Sequence, residues 1–322
     1  MVNWIGEKLL LLLNMELYTQ VNPHPSQVKC NHRTKFASIG SCFSEHIARR
    51  LERYRFSVKM NPNGIVFHPE PLGRSMIKCI EGNLTCDLDL IDTPLGFVSL
   101  DHHGSFRSRN KEILLQSIQE SEINFSKQLL ASDVLIITWG TAWGYLNKEN
   151  KNVVANCHKL PGNHFVKVLS DTQMMCENWE QLLNKTLSIN PRLKVMFTVS
   201  PVRHTREGLI ENQRSKARLI ELAHRLTEKV PQTSYFPSYE IMIDELRDYR
   251  FYERDLIHPN ALAVDIIWNR WVNTYMDEPT KLVMQKMDPL LMRLEHRGLH
   301  ETAEETLERQ REVGVLLGQL IL

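Results

Sequence analysis

The chain reads FASIGSCFSE over residues 36–45, and this stretch carries the strongest indication of its fold. The apolar run ends at Gly40, and two small residues that can act as nucleophiles, Ser41 and Cys42, follow it directly. Ser44 is a suitable N-cap for a helix. The pattern predicts a buried strand that turns into a helix, and open α/β sheets place their chemistry at such corners. An ordinary strand-to-helix turn with a buried cysteine fits the same residues.

Further short apolar runs indicate the rest of the sheet. They cover Lys35 to Ile39, Val134 to Thr138 and Val195 to Val199, with a weaker candidate at Thr233 to Phe236. Continuous apolar character, without alternation, is typical of strands that are covered on both faces, as in a parallel sheet. Helical patterns separate the runs, at residues 44–54, 111–130, 174–187 and 212–229. This alternation predicts a three-layer α/β/α sandwich with a central, mainly parallel sheet.

The sequence divides into three parts. Residues 1–34 form an N-terminal extension, 35–276 an α/β domain, and 277–322 a helical C-terminal tail that packs on the domain or on a partner. In the extension, the apolar run after Lys8 is too short for a signal peptide, and Met15 offers a second start. Inside the domain we expect a small hairpin within residues 87–109. Residues 147–170 are polar and rich in turn-forming residues, which predicts a long loop over one rim of the sheet.

Composition narrows the function classes. The formal net charge is +1, so no bulk field favours nucleic acid or an acidic membrane surface as a partner. No stretch approaches the roughly 20 apolar residues of a membrane span. The six cysteines are scattered, with no Cys-x-x-Cys pair, which argues against a zinc site or a disulfide framework. We therefore expect a cytoplasmic protein without a metal.

A second candidate group lies near the end of the α/β region, where residues 255–260 read DLIHPN. An acid three residues before a histidine can fold back and accept a hydrogen bond from the imidazole Nδ1. Nε2 is then the free base, which is the logic of a nucleophile–base–acid triad. The spacing predicts Asp255 as the orienting acid and His258 as the base. A helix-capping aspartate beside a surface histidine is the alternative.

The two candidate groups together resemble the arrangement of SGNH (GDSL-type) hydrolases. More closely, GSCFS at residues 40–44 resembles the motif that names the GSCFA family, an SGNH-like group. The resemblance extends from Phe36 to Tyr275. Its other blocks are NPNGI at 61–65, WGTAW at 139–143, NCHK at 156–159, SPVRH at 200–204 and DYRFY at 248–252. It implies an SGNH- or flavodoxin-like fold and chemistry on ester bonds.

The resemblance also implies roles for single residues. Gly64 occupies the second block, whose backbone amide donates to the oxyanion. The asparagine of the third block is replaced by Ala142, so Thr141 or Asn156 would have to supply that donor. Superposing residues 40–44 on the Gly-Asp-Ser-Leu-Thr pattern places Cys42 at the nucleophile, with Ser41 as the alternative. A thiol beside a helix N-terminus and a histidine is expected to have a lowered pKa.

The remaining polar residues of these blocks are candidates for substrate binding. They are Asn63, Asn156, His158, Arg203 and His204. The first hypothesis is an esterase or O-acyl transferase without a cofactor, which forms a covalent acyl-enzyme on a small-molecule or carbohydrate ester. The second is a non-catalytic module that keeps the scaffold and binds a carbohydrate or an anionic ligand. The missing third-block asparagine favours the second.

Overall fold

A computed structural model describes residues 19–296 and 302–321. The expectations for the first fourteen residues and for Met15 lie outside the described residues. In chain order the strands are β1 (Lys35–Gly40), β2 (Ser57–Met60), β3 (Leu90–Thr93), β4 (Gly96–Ser99), β5 (Arg107–Ser108), β6 (Val134–Trp139), β7 (Trp143–Asn147), β8 (Val153–Val154), β9 (Phe165–Leu169), β10 (Lys194–Val199) and β11 (Thr233–Phe236). The longer helices are α1 (Cys42–Arg53), α2 (Pro69–Glu81), α3 (Lys111–Ala131), α4 (Thr172–Ile189), α5 (Leu209–Lys229), α6 (Ala261–Tyr275), α7 (Glu278–Glu295) and α8 (Ala303–Ile321).

The central sheet is parallel, and its strands lie in the order β2-β1-β6-β10-β11. Counted along the chain, this is the flavodoxin-like order 2-1-3-4-5. The direction of winding reverses between β1 and β6. In sheets of this kind, ligands bind at that switch point, in the crevice beyond the carboxyl ends of the strands. The segments that follow β1 and β6 begin at Ser41 and Gly140, and they are therefore the expected walls of a site.

Along each central strand, side chains point alternately to the two faces of the sheet, and each face has its own hydrophobic core. Phe36 and Ile136 belong to the core that is covered by α1, α6, α7 and α8. Ala37 and Leu135 belong to the core that is covered by α2, α3, α4 and α5. Because both faces are buried, the strands need apolar residues at every position. The three-layer α/β/α prediction is confirmed.

Two predicted irregular regions contain more order than expected. Residues 87–109 hold the antiparallel sheet β3-β4-β5 instead of a simple hairpin. Residues 147–170, expected as a long loop, include β8 and β9, which pair with β7 on either side. The loop prediction was wrong because β8 is only Val153–Val154 and is bordered by turn residues. This second small sheet forms one wall of the cleft described below.

The C-terminal helices complete the first core. Met287 of α7 and Leu317 of α8 are fully buried in the cluster that contains Phe43. The chain before β1 also joins this end of the domain, because the Cys30 amide donates to the Tyr275 carbonyl at 2.7 Å. Residues beyond both predicted boundaries, at 34 and 276, thus contact the α/β domain, and the division into three parts stays a prediction. Among the described residues, no helix combines the length and apolar character that a membrane span requires.

Gly40 is the backbone position that the strand-to-helix corner depends on most. Its φ is +124°, and a Cβ there would lie 2.1 Å from the Thr138 carbonyl oxygen. We expect Gly40→Ala to lower the free energy of unfolding by about 4 kcal/mol, because both backbone strain and a main-chain clash oppose it. Gly82 is the matched control, since its φ is +71° but no atom lies within 4 Å of the added Cβ.

Chemical denaturation of both variants measures the difference. Gly82→Ala should cost about 1 kcal/mol, the strain of a left-handed alanine alone. If both variants lost the same free energy of unfolding, contact with the Thr138 carbonyl would not contribute to the loss in Gly40→Ala.

Candidate active site

Ser41 and Cys42 lie at the corner between β1 and α1, but their environments differ. Ser41 is 2% exposed and is the N-cap of α1, with Oγ accepting from the Phe43 amide at 3.3 Å. Its carbonyl accepts from the Ser44 hydroxyl at 2.7 Å. Cys42 is the first residue of the helix and is partly exposed. Ser41 Oγ thus takes part in capping α1, and the Cys42 side chain is the more accessible of the two.

Burial raises the pKa of the Cys42 thiol. Hydrogen bonding by the Phe43 amide opposes this shift, as does the positive charge of Lys216, whereas Glu45 adds to it. The expectation of a lowered pKa was wrong, because removal of the sulfur from water outweighs the helix N-terminus. Cys42 therefore rests as a thiol and needs a base to become a nucleophile.

Asp255 and His258 form the pair that their spacing predicts. The Nδ1 of His258 lies 2.6 Å from Oδ2 of Asp255. The other carboxylate oxygen accepts from the amides of Ile257 at 2.9 Å and His258 at 3.0 Å. These bonds, led by the His258 amide, lower the pKa of Asp255 to about 2. Asp255 is therefore ionised at neutral pH.

The ring of His258 is open to solvent, with 48% of the side chain exposed. With Nδ1 donating to Asp255, Nε2 is the basic nitrogen. No hydrogen bond joins His258 to Ser41 or Cys42 within residues 19–296 and 302–321. In unliganded sites such contacts are often long and tighten only when substrate binds.

Main-chain contacts attach the Asp255–His258 loop to the carboxyl edge of the sheet. The amide of Arg203, just beyond β10, donates to the Ile257 carbonyl at 3.4 Å, and the Glu253 amide donates to the His258 carbonyl at 2.8 Å. The guanidinium of Arg203 donates to the Tyr252 hydroxyl at 2.7 Å. Arg203 thus has a partner in the segment before this loop, and its expected contact with substrate stays a prediction.

His204 brings a second imidazole to the same edge. Its ring packs on Phe67, and its Nε2 would lie 2.9 Å from a Cβ at Gly140. Burial, reinforced by the charges of Lys216 and His258, lowers the pKa of His204 to about 3. The ring is therefore neutral at physiological pH, and it is close enough to His258 for the two to interact electrostatically.

The expected oxyanion donors are occupied. The Gly64 amide donates to the Asn61 carbonyl at 2.8 Å and closes a turn, which argues against its oxyanion role, and that role stays a prediction. Thr141 Oγ1 accepts from the Trp143 amide at 3.0 Å and shares a hydrogen bond with Ser215. Ala142 is fully buried. In the first turn of α1, the Phe43 amide donates to Ser41 Oγ and the Ser44 amide to the Ser41 carbonyl, which leaves the Cys42 amide as the candidate donor.

Asn63 is also part of the internal structure. It is 6% exposed, and its Nδ2 donates to the Ser75 hydroxyl at 2.5 Å. Its Oδ1 accepts from the Ser121 hydroxyl at 3.0 Å. Both ends of the amide are used between α2 and α3, which argues against the predicted substrate contact of Asn63.

A cleft of about 720 Å³ lies beside the corner. It shares Thr141 and His204 with the site, although neither Cys42 nor His258 lines it. Of the expected binding residues, Asn156 and His158 line its wall. Asn156 Oδ1 accepts from the His158 amide at 2.8 Å, and the His158 ring is 2.7 Å from the Ser99 carbonyl. Hydrogen bonds thus hold this wall in place.

Lys216 was missed by the sequence reasoning. It lies in α5, is 1% exposed, and donates to the carbonyls of Gly140 at 2.8 Å and Ser200 at 2.7 Å. A lysine in a helical pattern is normally read as solvated. The signal was its spacing, because Lys216 falls on the same helical stripe as Leu219 and Ala223.

The chain is distantly similar to solved structures of other proteins. A Streptococcus pneumonia structure described as a platelet activating factor is 9% identical, with a TM-score of 0.37, over 78% of this chain and 86% of its own. A Clostridium thermocellum family 3 carbohydrate esterase is 10% identical, with a TM-score of 0.33, over 75% of this chain and 94% of its own. No curated protein matches the sequence significantly. The model of the GSCFA family matches residues 35–271, from β1 into α6, and the chain therefore belongs to the GSCFA family.

Proposed function

We propose that the protein hydrolyses or transfers an ester-linked acyl group through a covalent intermediate on Cys42. The observation that carries the proposal is the 2.6 Å contact between His258 Nδ1 and Asp255 Oδ2, in a loop attached to the sheet edge where Cys42 begins α1. A partly exposed thiol, a histidine of fixed tautomer and an ionised carboxylate are the components of a nucleophilic triad. The buried hydroxyl of Ser41 is the alternative nucleophile.

In the first half-reaction, Nε2 of His258 accepts the proton of Cys42, and the thiolate attacks the ester carbonyl. The Cys42 amide, at the start of α1, stabilises the negative oxygen of the tetrahedral intermediate. The intermediate collapses, the C–O bond breaks, and the leaving alkoxide takes the proton from His258. A thioester on Cys42 and a free alcohol remain.

The second half-reaction runs in reverse with another nucleophile. Water or an acceptor hydroxyl loses its proton to His258 and attacks the thioester, which releases the Cys42 thiol and the acyl product. A dependence of turnover on added alcohol would identify a transferase. Throughout, Asp255 keeps the imidazole in one tautomer and stabilises its protonated form.

Asp255→Asn tests the proposal with little disturbance of the loop. The asparagine carbonyl oxygen can still accept from the amides of Ile257 and His258, but its NH₂ group now faces Nδ1. The imidazole then favours the wrong tautomer, and we expect kcat/KM for p-nitrophenyl acetate to fall by about 10⁴-fold. A wild-type rate in Asp255→Asn would contradict the triad.

Glu253→Gln is the matched control, because it removes an exposed carboxylate from the same loop and keeps the main-chain hydrogen bond to the His258 carbonyl. It should leave kcat/KM unchanged. A comparable loss in both variants would indicate a general effect of loop charge.

One observation favours a second function, a binding module without catalysis. The amide of Gly64 is committed to Asn61, and Ala142 replaces an amide donor, so the expected oxyanion site is incomplete. The cleft also holds cations over aromatic rings, with Lys167 Nζ 5.1 Å from the Trp143 ring centre. Such walls suit carbohydrate or anionic ligands.

Chemical labelling separates the two functions. A catalytic site should react with iodoacetamide at Cys42 or with a fluorophosphonate at Ser41. A protein that reacts with neither, yet binds a carbohydrate by calorimetry, would favour the binding module.

A further inference from the structure

The buried amine of Lys216 occupies a position that packing alone does not explain. It crosses from α5 to the carboxyl edge of the sheet, where its Nζ donates to the carbonyls of Gly140 and Ser200, directly after β6 and β10. A buried cation costs several kcal/mol unless it is well paired. A neutral methionine of similar length would fill the same space without that cost. A negatively charged group nearby would explain why a cation occupies this position.

The groups that face Lys216 come from each neighbouring element. The Cys42 thiolate, at the start of α1, and Glu240, in the helical turn after β11, both favour the ammonium form. The neutral His204 ring lies within electrostatic range, and the Tyr239 ring centre is 5.1 Å from Nζ. Burial is the largest influence and lowers the pKa of Lys216 to about 7. The amine therefore changes charge in the neutral pH range.

We propose that Lys216 is a positioning residue for the Cys42 site, whose buried ammonium stabilises the thiolate from beneath the ends of β6 and β10. The inference rests on the proposed role of Cys42 as nucleophile. Strand β1 pairs with β6, and the Ser41 amide donates to the Thr138 carbonyl at 2.9 Å, so Cys42 and the Gly140 carbonyl that binds Lys216 follow adjoining strand ends. When His258 takes the thiol proton, the negative charge that forms at the sulfur interacts with this ammonium. The carbonyls of Gly140 and Ser200 hold the ammonium in place.

A purely structural role makes a different prediction. If Lys216 only joined the ends of β6 and β10, any residue that preserved the fold would leave the ionisation of Cys42 unchanged. If its charge matters, the effect must depend on pH, because the ammonium is present below about pH 7 and is lost above it. A pH profile therefore distinguishes the two roles.

The experiment measures alkylation of Cys42 by iodoacetamide in the folded full chain, from about pH 6 to about pH 9, with peptide mass spectrometry. Lys216→Gln keeps a hydrogen-bond donor but no charge. We expect the wild type to react about tenfold faster than Lys216→Gln at the acidic end, and the ratio to approach one at the alkaline end. Lys216→Arg, which stays charged, should keep the advantage across the range. The exposed thiol of Cys86 is the internal control.

A second variant leaves Lys216 in place. Glu240→Gln removes a charge that favours the ammonium form of Lys216. Lys216 should then lose its proton at lower pH, and the faster alkylation of Cys42 should be lost at that lower pH as well. This variant carries the test if Lys216→Gln does not fold. Each of three outcomes would overturn the inference. The wild type and Lys216→Gln could alkylate at equal rates at every pH, Glu240→Gln could lose its alkylation advantage at the same pH as the wild type, or Cys42 could fail to alkylate at all. Because no ester is present, the result is independent of whether the protein turns over substrate.

Discussion

His258→Ala is expected to lower kcat/KM for p-nitrophenyl acetate by about 10⁶-fold, the loss typical of removing a triad base. The thiol of Cys42 rests protonated because burial raises its pKa. Without Nε2 nothing removes that proton as the ester is attacked, and nothing returns it to the leaving group. Free imidazole should restore part of the activity, because the exposed position leaves room for it.

The control for this prediction is His24→Ala, which removes another exposed histidine and should leave turnover unchanged. Stability serves as a second readout. His258 is half exposed and should contribute little to folding, so the variant should unfold near the wild-type temperature. Full turnover by His258→Ala would show that the triad assignment is wrong.

Cys42→Ala is expected to lower kcat/KM for the ester by at least as much as His258→Ala does, whereas Ser41→Ala should keep the wild-type value. The reason is position, because the Ser41 hydroxyl is buried and caps α1, whereas Cys42 is partly exposed at the helix start. Loss of the cap should instead lower the free energy of unfolding by about 1 kcal/mol in Ser41→Ala. The two substitutions thus separate catalysis from stability within one dipeptide.

Steady-state kinetics and denaturation of both variants check this pair of expectations. Cys42→Ser is the matched control, since it keeps a nucleophilic atom of similar size but lower acidity, and we expect slow residual turnover. An inactive Ser41→Ala beside an active Cys42→Ala would reverse the assignment.

Much of the fold could be predicted because the central strands are buried on both faces. That environment selects continuous apolar runs such as Val134–Trp139, which are easily recognised. The edge strand Ser57–Met60 was missed because it is short and alternates with polar residues. Helix Pro69–Glu81 was missed because prolines in its first turn resemble a loop, although proline is well tolerated there.

The site was only partly predictable. The Asp255–His258 contact follows from local geometry, because three residues of separation are enough to fold the carboxylate onto Nδ1. The role of Gly64 does not follow from local sequence, since a family block gives the residue type but not the direction of its amide. Lys216 depends on the tertiary packing of α5 against the sheet edge, which no short motif encodes.

Intact-mass detection of an acyl adduct, after acid quenching of a reaction with p-nitrophenyl acetate, tests the central claim most directly. The account predicts an acetyl adduct in the wild type and in Ser41→Ala, carried by the peptide that contains Cys42, and none in Cys42→Ala. An adduct that persists in Cys42→Ala and disappears in Ser41→Ala would contradict it.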